Sequence, residues 1–163
     1  MGCDITSFVE RKNRETQKWE VVYDCIKVDG YMKEFHGKDL ISSPFDWRSY
    51  DIYGFLAGVR NRSCITPIVE PRGIPDDVSE EILKLYNRDP ENCHSSSYLT
   101  VEELLAYDYD RSITEIEEYC EEGDEEDPKT IREFLGTFFF DDLKSLKAIG
   151  KPNMVRVIFW FDN

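Results

Sequence analysis

The sequence contains no apolar run approaching the roughly 20 residues that a membrane-spanning helix needs. It also lacks a basic segment followed by an apolar stretch near its first residues, so we expect no secretory signal. Its five cysteines are widely spaced and form no CxxC pair, which favours reduced thiols in a cytoplasmic protein. Only two histidines occur, and no dinucleotide fingerprint or hydrolase motif is present. We therefore predict no metal, no cofactor and no membrane partner.

The net charge of −14 is confined to one segment of the chain. Residues 76–127 hold 19 acidic and three basic residues, whereas the remainder is close to neutral. Because proteins bind nucleic-acid polymers by neutralising phosphates with Lys and Arg, this charge argues against such a partner. It leaves room for one small phosphate-bearing ligand in a local arginine pocket. We interpret residues 110–127 as an acidic surface insert.

Strand-like patterns lie at both ends of the chain. Residues 3–11 and 18–28 are rich in β-branched and aromatic residues and predict a hairpin, whose second strand we expect to be central. Residues 154–161 form a nearly continuous apolar run that is typical of a buried central strand. We predict a single α+β domain over residues 1–163. Its mostly antiparallel sheet combines the hairpin with the C-terminal strand, and helices pack on one face.

The middle of the chain alternates helical periodicity with turn signals. Thr100 and Glu103 match the capping-box pattern at the start of a helix. Gly, Pro and Ser punctuate three segments that we predict to be irregular, 29–50, 62–75 and 88–99. The apolar spacing predicts helices over 50–61, 77–87, 101–107 and 138–149. A further helix is predicted to begin at Pro128, with Asp127 as its cap, and to end near Leu135.

Arginines and a serine-rich segment are the strongest binding candidates. Arg60 and Arg62 end a predicted helix, where positive charge can equally well offset the helix dipole. Arg72 lies in a proline-rigidified Pro-Arg-Gly turn. Guanidinium groups bind phosphate through two hydrogen bonds and stack on rings, so these arginines predict an anion site. The segment HSSSY at 94–98 offers hydroxyls and amides that bind an anion or only cap the next helix.

Several segments resemble a family of small, mostly uncharacterised bacteriophage and prophage proteins. The family opens with Met-Gly-Cys-Asp-Ile-His and ends in a Val-Arg-Ile-Val-Phe-Trp-Phe-Asp-Asn-like strand. This chain has MGCDIT at 1–6 and VRVIFWFDN at 155–163, and its inner matches are RSYD at 48–51, LAGVRN at 56–61, PRGIP at 71–75 and HSSSYLT at 94–100. The resemblance covers most of the chain apart from residues 110–127.

Two departures from the family pattern remove imidazoles. Thr6 and Ser96 replace family histidines, so only His94 remains of a set suited to acid–base or metal chemistry. The resemblance implies a protein that has kept the pocket and lost the catalysis. The predicted ligand site consists of Asp4, Tyr50, Arg60, Asn61, Arg72, His94 and Ser96.

The resemblance implies a protein of the infected bacterial cytoplasm that sequesters a small nucleotide immune signal and so inhibits host defence. A cyclic dinucleotide or an ADP-ribose derivative would fit this role. One alternative is a phosphodiesterase or hydrolase that cleaves such a signal, with His94, Asp4 and a serine or tyrosine supplying proton transfer. A second is an acidic protein-binding inhibitor that long-range attraction guides to a basic host factor. A homodimer formed through the terminal strands also stays open.

Overall fold

A four-stranded antiparallel sheet joins the two ends of the chain in the computed structural model, which describes residues 2–113 and 130–163. Its strands are β1 (Asp4–Lys12), β2 (Trp19–Val22), β5 (Cys93–Thr100) and β6 (Val155–Asp162), and their spatial order is β2-β1-β6-β5. The remaining strands, β3 (Ile26–Lys27) and β4 (Leu40–Ile41), form a separate antiparallel pair. The prediction of an α+β fold with a shared terminal sheet is confirmed.

Helices connect and cover the sheet. They are α1 (Gly30–His36), α2 (Tyr50–Ala57), α3 (Glu80–Tyr86), α4 (Val101–Ala106), α5 (Ile131–Leu135) and α6 (Thr137–Lys147). The predicted capping box of α4 is present, because the Glu103 amide donates to Thr100 Oγ1 and the Thr100 amide donates to Glu103 Oε2. No helix of the described residues is long and apolar enough to cross a membrane.

Both faces of the sheet are covered. Along β6, Val157 and Phe159 point into the main core, which also receives the buried side chains of α2, α4, α5 and α6. The alternate residues Ile158 and Trp160 pack in a second cluster with Ile82 of α3. Most helices thus lie on one face as predicted, and α3 lies on the other. A central β6 buried on both sides confirms the expectation for the C-terminal strand.

Three local predictions are wrong. β2 is an edge strand and not central, since the chain turns at Asp24 (φ 48°) and residues 26–27 pair with β4 instead. Residues 30–36 form α1 within the segment expected to be irregular. Cys93–Thr100 forms β5 where a loop was expected, because pairing with β6 supplies its backbone with hydrogen bonds.

Two further expectations concern chemistry and boundaries. Cys64 is disulfide-bonded, so the expectation of reduced thiols is wrong for this residue, whereas Cys3, Cys25 and Cys93 are free. Most of the acidic insert at 110–127, and the helix start at Asp127 and Pro128, lie outside the described residues.

Candidate ligand-binding site

Arg72 fastens a loop to the sheet. Its guanidinium donates to both carboxylate oxygens of Glu103, with Nη1–Oε2 at 3.0 Å and Nη2–Oε1 at 2.5 Å, and to the Tyr98 carbonyl at 3.2 Å. Its guanidinium carbon lies 5.3 Å from the centroid of the Tyr98 ring. This pairing lowers the pKa of Glu103, the residue that also completes the capping box of α4. The contacts of Arg72 therefore serve the fold.

Ser96 and His94 lie at an irregularity of the β5–β6 pairing. The Ser96 carbonyl accepts from the Gly73 amide at 2.8 Å, which holds the Pro-Arg-Gly turn along the outer edge of β5. The His94 ring packs 6.1 Å from the Phe161 ring, and its Nδ1 lies 3.1 Å from Ser95 Oγ. Its Nε2 is buried and has no hydrogen-bond partner in the described part of the chain.

Asn61 closes the loop after α2. Its Nδ2 donates to the Ile65 carbonyl at 2.6 Å, and its Oδ1 accepts from the Ile65 amide at 3.1 Å. A Cβ at Gly54 would lie only 3.0 Å from Asn61 Oδ1, so this glycine permits the close approach. Arg60 has a positive φ of 50° and donates to Asn163 Oδ1 at 3.1 Å, which ties the loop to the end of β6.

Asp4 lies where β1 begins, directly across from Asp162 of β6. Arg48 donates to its two carboxylate oxygens at 2.8 and 2.7 Å and holds the pKa of Asp4 below its usual value. Tyr50 opens α2 nearby, 5.8 Å from the ring of Tyr53.

The structure thus gathers part of the predicted site at one end of the sheet. Asp4 and Arg60 both contact the residues around the end of β6. Arg72 binds beside Tyr98, which pairs with Ile158, four residues and roughly 13 Å further along β6. The arginines expected to converge on one anion are therefore separated, and Arg72 and Arg48 each bind a carboxylate of the chain.

An aromatic cleft of about 570 Å³ opens next to the Asp4–Arg48 pair. Four rings line this cleft: Tyr31 and Phe35 from α1, Trp47 from the loop after β4, and Phe138 from α6. Tyr31 and Phe35 are 69% and 67% exposed, which is unusual for rings of this size, and their centroids lie 6.3 Å apart. The rings of Trp47 and Phe138 meet edge to face at 3.9 Å.

Three charged side chains, Asp4, Asp46 and Arg48, complete the wall of the aromatic cleft. Burial raises the pKa of Asp46, and the nearby His36 partly opposes this effect. The distance from Asp46 Oδ2 to His36 Nε2 is 3.8 Å, which is too long for a hydrogen bond. With one cation and two carboxylates, the cleft suits a largely apolar, planar ligand that carries few negative charges.

The sequence contains a pattern that indicates this cleft, although the predicted ligand site includes none of its aromatic residues. Tyr31 and Phe35 are four residues apart, a spacing that places both rings on one face of a helix. Gly30 begins this helix and Gly37 follows it, with positive φ angles of 49° and 67°. Met32 is the one residue of α1 that is buried. A short helix with two exposed rings and one buried anchor indicates a surface made for contact.

Comparison of this chain with known proteins found no match. No family model matches this chain, and no curated protein and no solved structure is significantly similar to it.

Proposed function

We propose that the protein binds a small nucleotide in the aromatic cleft and sequesters it unchanged. The observation that carries this proposal is a cleft with four aromatic rings and a guanidinium at its rim. Aromatic side chains stack on nucleobases with about 1–3 kcal/mol per base, and a guanidinium binds phosphate. The resemblance to phage proteins supplies a biological setting, the removal of a nucleotide immune signal in an infected bacterial cell.

Binding without turnover is favoured by the composition of the cleft. Its lining residues in the described ranges include no serine, cysteine, lysine or histidine, so Asp46 and Tyr31 are the groups left for acid–base chemistry beside Asp4. Asp4 is engaged by Arg48 in a two-bond ion pair. The alternative of a phosphodiesterase is therefore tested by the state of the recovered ligand.

The charge of the cleft limits the ligand class. Arg48 is the one cation among these lining residues, and two carboxylates flank it. A triphosphate would add several negative charges that one guanidinium cannot offset. We expect nucleoside monophosphates and cyclic dinucleotides to bind more tightly than nucleoside triphosphates.

Titration calorimetry with nucleoside monophosphates, cyclic dinucleotides and ADP-ribose tests this proposal. Phe35→Ala removes a ring that is 67% exposed, so the fold should remain while affinity falls by about five-fold or more. Tyr23→Ala is the matched control, since Tyr23 is 59% exposed but does not line the cleft.

Two results would contradict the proposal. Absence of binding for the whole panel would reject a nucleotide site. Recovery of cleaved ligand after denaturation of the complex would replace sequestration by hydrolysis.

A further inference from the structure

Asp46 is the carboxylate of the aromatic cleft that can receive a ligand. The other lining carboxylate, Asp4, already accepts two hydrogen bonds from Arg48. Asp46 has a side chain that is 41% exposed, and it lines both the aromatic cleft and a second, narrower pocket that Met32 of α1 and Phe138 of α6 also line. The imidazole of His36 approaches it only to 3.8 Å. Asp46 thus lines the aromatic cleft beside Trp47 and Phe138.

An ionised carboxylate offers two acceptor oxygens side by side and no donor. The Watson–Crick edge of guanine carries two adjacent donors, the N1–H and the 2-amino group. Adenine and cytosine place an acceptor nitrogen beside their amino group, and uracil flanks its single N–H with two carbonyls. Only guanine among these bases pairs both oxygens of a carboxylate with donors.

We propose that Asp46 makes the aromatic cleft selective for guanine nucleotides. The guanine edge donates to both Asp46 oxygens, its ring stacks on the aromatic wall, and its phosphate is directed towards Arg48. This inference rests on the proposed function, because it names the ligand class of the same cleft. Asp46 and Arg48 are two residues apart in one loop, and both line the cleft.

The test is calorimetric titration of the full chain with GMP, IMP and AMP. These three ligands carry the same phosphate, so the contribution of Arg48 is held constant. We expect GMP to bind about ten-fold more tightly than AMP, because charge-assisted hydrogen bonds carry the difference. IMP, which keeps N1–H and lacks the 2-amino group, should lie between them.

Asp46→Asn supplies the sharper comparison. The variant amide has nearly the shape of the carboxylate but presents one acceptor and one donor, the pattern that reads adenine. We expect the preference to move from GMP towards AMP by about ten-fold or more. Asp76→Asn, at an exposed carboxylate outside the cleft, should leave the ranking unchanged.

The outcomes separate the two proposals. Equal affinity of the wild-type protein for GMP, IMP and AMP, or an equal loss for all three in Asp46→Asn, overturns guanine selection and leaves nucleotide binding in place. Binding of none of the three rejects the nucleotide site itself. The wild-type ranking alone decides the inference if the variant does not fold.

Discussion

At the scale of single residues, Asp142 of α6 combines burial with a structural hydrogen bond. Its Oδ2 accepts from the Phe45 amide at 2.6 Å, which fixes the chain just before Trp47 of the aromatic cleft. Burial raises the pKa of Asp142 to about 7. The folded protein therefore prefers the protonated side chain across a pH range in which the unfolded chain is ionised.

This shift predicts a pH-dependent contribution to stability with a defined sign. The folded-state pKa lies above the unfolded value of about 3.9, so the contribution is complete below pH 4 and is lost as the pH rises towards 7. Asp142→Asn keeps an acceptor for the Phe45 amide and removes the charge. Urea unfolding should show a gain on the order of 2 kcal/mol near pH 8 and almost none near pH 4. Asp76→Asn is the control for removal of an exposed carboxylate. An equal gain in stability from Asp142→Asn at both pH values would contradict the burial of the Asp142 charge.

A comparison of two arginines tests how their roles divide. Arg72→Met removes the ion pair with Glu103 and should lower the free energy of unfolding by about 1 kcal/mol, with nucleotide affinity unchanged. Arg48→Met removes the guanidinium at the rim of the cleft and should weaken GMP binding by about ten-fold. Denaturant unfolding and calorimetry on both variants measure the two effects. Loss of nucleotide binding in Arg72→Met but not in Arg48→Met would contradict this assignment and support the ligand site predicted from the sequence.

At the scale of elements, the sequence predicted helices and strands correctly where the sequence pattern is local or strongly apolar. The capping box of Thr100 and Glu103 is local chemistry, and the apolar run of β6 admits little besides a buried strand. β5 was missed because its serines have low strand propensity and its existence depends on a partner strand from elsewhere in the sequence.

The candidate site shows the same contrast between features that are local in sequence and features that depend on distant residues. The predicted ligand site included Asp4, which lies beside the end of β6 and lines the cleft. The sequence could not show that Arg48 pairs with Asp4, because these residues are 44 positions apart. It also favoured Arg72, whose Glu103 partner is 31 positions away. Pairings of this kind are set by tertiary structure, which one sequence does not display.

At the scale of the whole molecule, a buried ion cluster holds three distant segments together. Arg156 of β6 donates to Glu10 of β1 and to Asp77, both at 2.8 Å, and its guanidinium carbon lies 4.0 Å from the Trp19 ring centroid. Arg156 and Glu10 are almost completely buried. The Ser79 amide adds a hydrogen bond to Glu10, which attaches the segment before α3.

Breaking this cluster on one side should be costly. Arg156→Met leaves Glu10 buried without its charged partner, and we expect a loss of about 3–5 kcal/mol in the free energy of unfolding. The double variant with Glu10→Gln should recover part of that loss, since the charge left without a partner, Asp77, is exposed to solvent. Urea unfolding of wild-type, single and double variants measures both steps. A loss below about 1 kcal/mol in the single variant would contradict a buried ion cluster.

The pairing of β1 with β6 also determines when the sheet can form during folding. Glu10 and Arg156 are 146 positions apart, so the pairing of β1 with β6 closes a very long loop. Until β6 arrives, β1 offers an unpaired backbone edge and an uncovered apolar face to any neighbour. Folding is therefore expected to be slow, with assembly of the sheet delayed until β6 has left the ribosome. Newly made chains pass through a vulnerable interval during which strand exchange between molecules competes with completion of the native sheet.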